Sequence, residues 1–326
     1  MISSLEIFQS GKLYPYENLA QEKYLFDTLP DNTLRLFLWR NDNTVVIGQN
    51  QNPWVECNCK LLEKEGGFVV RRMSGGGAVF HDKGNLNFTF ICSEENYNLS
   101  LNLEIIKKAC EALGITAEIS GRNDILTDGR KFSGNAFYHR DKKALHHGTL
   151  LISSSSEKIK RYLTPKMDKL AAKGVKSVAS RVINLKAVCP TLNTKIMAKQ
   201  LIIAAEIVLN LKGNILTPFD NEETKNNANL FGSWDYIYGK TPPFTFSARR
   251  RFSFGDCEVN LNLKNGRISE IKVYTDSLDF ELSKKIESAL LGAQLETAEI
   301  EKRLTNILTE DIAKDVITLI KNSLTA

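Results

Sequence analysis

The chain has 326 residues, 42% hydrophobic and 25% charged, and a formal charge of +5 from 43 Lys and Arg against 38 Asp and Glu. Such a composition is that of a soluble globular protein of about two domains, and no apolar run approaches the ~20 residues of a membrane span. The charge excess is too mild for a nucleic-acid-binding surface and points to an anionic small ligand or an acidic protein partner. The N-terminus has no charged segment followed by an apolar one, so no signal peptide is expected. The six cysteines, Cys57, Cys59, Cys92, Cys110, Cys189 and Cys257, form no C-x-x-C pair and have no histidine at metal-binding spacing. Reduced, mostly buried thiols in a cytoplasmic protein are therefore expected.

In chain order, residues 17–29 have helical apolar spacing. Runs 34–39 and 44–48 are β-branched and aromatic, and Asn41-Asp42-Asn43 between them is a hairpin signal. Residues 56–65 predict a helix ended by Gly66-Gly67. Strand-like runs 68–71 and 86–91 then flank a glycine-rich motif. An amphipathic helix over 101–113, ended by Gly114, leads into a β-rich stretch: 117–120, 124–127, an Asp128-Gly129 turn, 132–138 and 148–152. Ser153 to Ser156 cap a helix starting near Glu157. Residues 166–181 are lysine-rich with weak periodicity, as in a mobile loop, and 194–211 is helical. Gly239-Lys240-Thr241-Pro242-Pro243 is the best linker, because tandem prolines continue neither a helix nor a central strand. Beyond it, runs 245–254, 258–264 and 267–274 alternate with period two, with Asn265-Gly266 as a type I′ hairpin turn, and helical patterns fill 280–326.

Two stretches carry chemistry. Gly75, Gly76 and Gly77 follow Arg71-Arg72, and glycine lets main-chain N–H groups approach a ligand closely. Successive amides in such a turn suit an anion, and Arg72 adds a guanidinium fork for phosphate or carboxylate; a plain flexible hairpin is the competing reading. In the second stretch Asn123-Asp124 opens a strand and Lys131 begins the next after a tight turn. Gly134 sits inside that strand as if something packs against its backbone. Taken alone, Lys131 and Asp124 are ordinary solvated turn residues.

Together these segments resemble the lipoate-protein ligase family over most of the chain. The run Arg71-Arg72-Met73-Ser74-Gly75-Gly76-Gly77-Ala78-Val79-Phe80-His81-Asp82 is similar to the family's lipoate-binding loop. Gly121-Arg122-Asn123-Asp124 and Gly129-Arg130-Lys131-Phe132-Ser133-Gly134 resemble the segment holding its essential lysine. Trp39-Arg40, Gln51-Asn52-Pro53-Trp54 and His146-His147-Gly148-Thr149-Leu150 also match. Lys169 to Val178 resembles the loop that folds over the adenylate. Trp234, Pro243-Phe244 and Val273 to Leu278 resemble the linker and C-terminal accessory domain. Phe132 and Lys83 depart from the pattern, since a smaller aliphatic and an apolar residue are common there.

The resemblance implies a mixed α/β fold: a biotin/lipoyl-ligase-like large domain of curved mixed sheets over 1–243, then a small α+β accessory domain over 244–326. It implies that lipoate attacks the α-phosphate of ATP to give lipoyl-AMP and pyrophosphate, after which an acceptor lysine attacks the anhydride and releases AMP. A carboxylate is already ionised at neutral pH, so the first step needs positioning and charge neutralisation rather than a base. Lys131 is the catalytic point charge. Arg72, Gly77, Ala78, Val79, Phe80, Asn123, Asp124, Lys131, Lys173, Gly174 and Ser177 are expected to hold ATP and adenylate. Arg72, Ser74, Gly75, Gly76, Gly77, His81, Lys131, Gly134 and His147 are expected to hold lipoate. Mg²⁺ is expected on Asp124. Val46, Val70, Phe88 and Phe90 suit either an apolar tunnel or a plain core, and His81 is either a base or a histidine bonded to backbone. The expected acceptors are glycine-cleavage H protein and the E2 subunits of 2-oxoacid dehydrogenases, served by a monomer that binds neither nucleic acid nor membrane. Two other readings stay open: a lipoyl or octanoyl transferase that skips ATP activation, and a non-catalytic binder that kept the pocket.

Overall fold

Alternating apolar residues in short β-branched runs build the sheets of this chain. The computed structural model describes residues 1–51, 53–120, 124–163, 182–238, 246–264, 267–294 and 297–324. The strands are β1 (Ser4–Gln9), β2 (Thr33–Trp39), β3 (Thr44–Ile47), β4 (Phe68–Arg71), β5 (Val79–His81), β6 (Asn85–Ser93), β7 (Glu118–Ser120), β8 (Asp124–Thr127), β9 (Arg130–Arg140), β10 (Lys143–Leu151), β11 (Gly213–Leu216), β12 (Phe246–Phe252), β13 (Gly255–Lys264) and β14 (Arg267–Thr275). The chain divides into two units. The first comprises Met1–Val46, Pro53–Arg72 and Ala78–Ile237; the second comprises Ile47–Asn52, Met73–Gly77 and Tyr238–Ala326.

The large sheet of the first unit has the order β11-β1-β2-β6-β10-β9-β8-β7. β11, β1 and β2 run parallel, and from β2 to β7 every neighbour is antiparallel. Period-two alternation gives the sheet two unlike faces. Leu36, Leu38, Leu86, Phe88, Phe90 and Leu150 face the helices Leu99–Glu111 and Thr194–Leu209 in one buried core. On the other face register sets Asn87 opposite Trp39 and Thr149, and Thr89 opposite His147. The helix Pro15–Asp27 brings Glu22 to that polar face, where it meets Thr89 and His147. A second sheet, β4-β3-β5, holds the start and end of the glycine-rich motif.

The second unit packs the antiparallel sheet β12-β13-β14 against the helices Leu282–Leu290, Thr297–Thr305 and Glu310–Leu324. Val259, Leu261, Val273, Ile286, Leu304 and Val316 lie in its core. Lys264 pairs with Arg267, and the predicted Asn265-Gly266 turn between them lies outside the described residues, as does the 239–243 linker. Among the described residues no helix is long and apolar enough to cross a membrane.

Several sequence expectations need correction. Runs 34–39 and 44–48 form no hairpin, because β2 pairs with β1 and β6 whereas β3 pairs with β5 in the other sheet. The expected helix over 56–65 is broken: Pro53–Glu56 and Cys59–Lys64 are separated where Cys57 bridges to Leu163 and the Asn58 N–H donates to the Tyr162 carbonyl. β5 lies inside the glycine motif, so Val79 and Phe80 are strand residues opposite Val46 and Val45. The parallel strands β1 and β11 and the helix Glu222–Gly232, started by an Asn221 capping box, have too little periodicity to be read locally.

Candidate active site

Lys131 stands at the start of β9, just after a turn in which Asp128 and Gly129 both have positive φ, 50° and 67°. Two positive φ values make the type I′ turn that Asp-Gly favours. Between β8 and β9 the register shifts: Ile125 faces Ser133, Leu126 faces Lys131, and Phe132 is left without a cross-strand partner. This bulge re-aims the strand. Phe132 enters the core, fully buried, while the Lys131 side chain lies across Gly134. A Cβ on Gly134 would stand 3.0 Å from Lys131 Nζ and 3.1 Å from its Cε. The lysine ends 2.7 Å from Asp124 Oδ1, with side chains 32% and 38% exposed. Its backbone is pinned by Ile183, whose N–H donates to the Lys131 carbonyl.

Beyond Gly134, along the polar face, lie Thr149, which accepts the Gly134 N–H, and then a buried polar cluster. His147 Nδ1 is 2.8 Å from Glu22 Oε1, which also accepts from Thr89 Oγ1 at 2.7 Å. Thr89 in turn accepts from Trp39 Nε1 at 3.0 Å. Glu22 is fully buried, and its Oε2 has no hydrogen-bond partner among the described residues. His81 Nδ1 lies 3.3 Å from Asn41 Nδ2 and 3.4 Å from Asn87 Nδ2, and its Nε2 has no partner there. Burial first, then the nearby charges of Arg72 and His147, push the His81 imidazole down to about 3. It is therefore neutral at physiological pH, and a ring so reluctant to take a proton is a weak general base.

The two arginines of the glycine motif part company. Arg71 Nε donates to the Tyr236 carbonyl at 3.0 Å and Nη2 to that of Ile237, so it closes the end of the helix Trp234–Ile237. Arg72 is buried and Nη1 donates to the Val46 carbonyl at 3.2 Å. Burial lowers its guanidinium to about 10, opposed by the Glu22 carboxylate, which leaves it cationic at neutral pH. Ala78, Val79 and Phe80 continue in the first unit. Ser74, Gly75, Gly76 and Gly77 belong to the second, where the Gly76 N–H already donates to the Ser277 carbonyl at 3.0 Å. A Cβ on Gly75 would lie 2.3 Å from that oxygen. The glycines here permit close approach of protein backbone, not only of a ligand.

Lys131, Asp124, Gly134 and His147 thus share one sheet face, with His81 tied to it through Asn87. The proposed ATP residues Asn123, Lys173, Gly174 and Ser177 and the loop over 166–181 lie outside the described residues. Val46, Val70, Phe88 and Phe90 are buried; Phe88 and Phe90 pack on His146 in the core face. Sequence reasoning missed Glu22, Asn41 and Asn87. For Glu22 a signal exists: it falls four residues after Asn18 and three before Leu25 on the buried stripe of its helix. Among the described residues no cluster of three or more His, Cys, Asp or Glu side chains could hold a metal alone. The single half-exposed carboxylate of Asp124 does fit Mg²⁺, which takes one or two carboxylates and otherwise phosphate oxygens and water.

Residues 14–206 match the lipoyl protein ligase A/B catalytic domain, and residues 241–322 match the bacterial lipoate protein ligase C-terminus. The lipoate-protein ligase A of Psychrobacter cryohalolentis is 38% identical over 313 residues, covering 93% of this chain and 92% of that protein. The structure of P. falciparum LipL1 in complex with lipoate superposes with a TM-score of 0.85 at 31% identity, covering 97% of this chain and 99% of that one. Two others share the fold: the bipartite T. acidophilum lipoate protein ligase described with its E2 lipoyl domain, at TM-score 0.64, 22% identity and coverage of 76% and 100%, and a lipoate-protein ligase A bound with ATP, at TM-score 0.62, 22% identity and coverage of 73% and 99%. The chain belongs to the lipoate-protein ligase family and contains both its catalytic and its C-terminal domains.

Proposed function

We propose that this protein is an ATP-dependent lipoate-protein ligase that converts lipoate and ATP to lipoyl-AMP and then acylates a lysine of an acceptor protein. The observation that carries the reading is Lys131, laid across Gly134 and held by Asp124 at 2.7 Å on the polar face that also bears His147. A lysine in that place is a mobile point charge able to meet a carboxylate and an α-phosphate together, where negative charge accumulates during in-line displacement. Buried Arg72 adds a second fixed cation. Ala78, Val79 and Phe80, with Gly77, Asn123, Lys173, Gly174 and Ser177, would bind the nucleotide, and Ser74 to Gly76, His81, Gly134 and His147 the lipoate. Mg²⁺, held by Asp124 and phosphate oxygens, would neutralise charge on the triphosphate. The domain boundary at 243/244 is part of the same proposal, in line with the C-terminal match over 241–322.

The neighbour described with an E2 lipoyl domain supports E2-type lipoyl domains as acceptors. Glycine-cleavage H protein is the second acceptor in this proposal. A cytoplasmic monomer suits both. Lipoate-dependent ATP–pyrophosphate exchange by the purified protein tests the reading, with Lys131→Ala as control. Exchange should fall by about 10³-fold in the variant. Exchange that survives Lys131→Ala overturns the lysine's role. Absence of exchange in the wild type, with transfer from supplied lipoyl-AMP, identifies a transferase that skips activation.

A further inference from the structure

We propose that Asn41 and Asn87 lock His81 as a neutral imidazole whose Nε2–H is a fixed hydrogen-bond donor to a carboxyl oxygen of the acyl substrate. The lock follows from counting donors. Ser10 Oγ donates to Asn18 Oδ1 at 2.6 Å, and the two Asn18 Nδ2 hydrogens serve three acceptors, among them the Arg40 and Lys12 carbonyls at 2.8 and 3.2 Å. Carbonyl oxygens only accept, so the orientation of the Asn18 amide is fixed. The same Asn18 Nδ2 reaches Asn41 Oδ1 at 2.9 Å, which turns the amide nitrogen of Asn41 toward His81 Nδ1. From the other side Asn85 Nδ2 donates to Asn87 Oδ1 at 2.8 Å, and Asn87 Nδ2 also points at Nδ1. Two N–H groups converge on one ring nitrogen. That nitrogen must carry the lone pair, so the hydrogen sits on Nε2.

Nε2 is the part left over. His81 is 3% exposed, and Nε2 has no partner among the described residues, although a buried donor without an acceptor costs free energy. An acceptor oxygen brought by a ligand removes that cost. The titratable groups facing the ring are Arg72 and His147, with Glu22 bonded to His147, while Asp82, the next residue, spends its carboxylate on the N–H groups of Gly84 and Ser155. Arg72 is already a buried cation beside the ring, so an imidazolium would be repelled by it; a neutral donor orients an oxygen without that repulsion. Asn41 and Asn87 act through His81 and are positioning residues. The substrate assignment rests on the ligase reading; the locked tautomer does not.

The test has two arms. Nitrogen-15 imidazole spectra of the ligand-free full-length protein should show His81 as the Nε2–H tautomer, without titration between about pH 5 and pH 9. A signal from the Nδ1–H tautomer, or an imidazolium forming in that range, overturns the lock whether or not the protein is a ligase. In lipoate-dependent pyrophosphate exchange, His81→Ala should lose about 10²-fold in kcat/KM for lipoate with little change in KM for ATP, and His81→Gln, which keeps a neutral donor near Nε2, should recover most of it. Equal loss in both variants, a change in KM for ATP instead of lipoate, or full activity in His81→Ala overturns the donor role. Asn87→Asp offers Nδ1 an acceptor and draws the hydrogen from Nε2. Its rate should fall as pH rises above neutral while the wild-type rate stays flat, and matching profiles overturn the proposal.

Discussion

Two ends of one sheet face handle charge in opposite ways. At the β8–β9 edge, Lys131 and Asp124 form an ion pair with both side chains about a third exposed. Near water such a pair contributes about 0–1 kcal/mol, so Lys131 can leave Asp124 for a reacting oxygen at little cost. At the inner end, Glu22 and His147 are 1% and 8% exposed and share their atoms with Thr89 and, through it, Trp39. There the polar groups hold one another away from water, and losing one partner strands a buried polar group. The edge is built to exchange partners and the interior is built to keep them.

The sharpest way to break this contrast is to swap the symptoms. Lys131→Ala should lower pyrophosphate exchange by about 10³-fold yet shift unfolding free energy by under about 0.5 kcal/mol, measured by urea denaturation. A variant that unfolds much more easily would place Lys131 among the structural residues. Glu22→Ala should do the reverse in kind, costing about 3 kcal/mol of stability by leaving His147 and Thr89 without their acceptor. If it leaves stability intact, the interior is as adaptable as the edge.

Acid probes the interior more gently. Burial depresses His81 and His146 to about 3, so both are neutral in the fold, whereas in the unfolded chain they protonate near their ordinary 6.5. Their contribution is intact above that value and is lost as pH falls toward 3, by about 1.4 kcal/mol per pH unit for each histidine. Stability that is flat between about pH 6.5 and pH 5 would contradict their burial as neutral rings. The smallest effect is expected for Gly134→Ala. Its Cβ would press on the flexible end of Lys131, so kcat/KM should drop about tenfold with stability changed by under about 0.5 kcal/mol. An unchanged rate would mean that Lys131 does not need to cross that glycine.

What could be read from the chain was what is local in it. The Asp128-Gly129 turn, the lysine after it and the odd glycine at 134 lie within seven residues, and each has a stereochemical signature of its own. Register was not legible. Asn87 meets His81 only because β6 places it beside Trp39, and Asn41, in what looks like a hairpin turn, instead aims its amide at the same ring. Arg72 could be singled out by its place next to the glycines, but nothing local says what Arg71 does, and only the tertiary structure sends its guanidinium to a helix end. Glu22 shows why polarity patterns mislead at sites. A carboxylate on a buried stripe weakens a periodic signal at the very point where its burial has a purpose.

The unpartnered Phe132 has a consequence for how this protein can vary. Its ring is an index pin: sunk in the core, it fixes which residue of β9 counts as the one before it, and so fixes Lys131. The Asp128-Gly129 tip lies on the far side of that pin. Relatives can therefore lengthen or shorten the tip without moving the lysine, whereas a one-residue insertion between Lys131 and Gly134 would turn the lysine away from its face and end activity while leaving a well-formed hairpin.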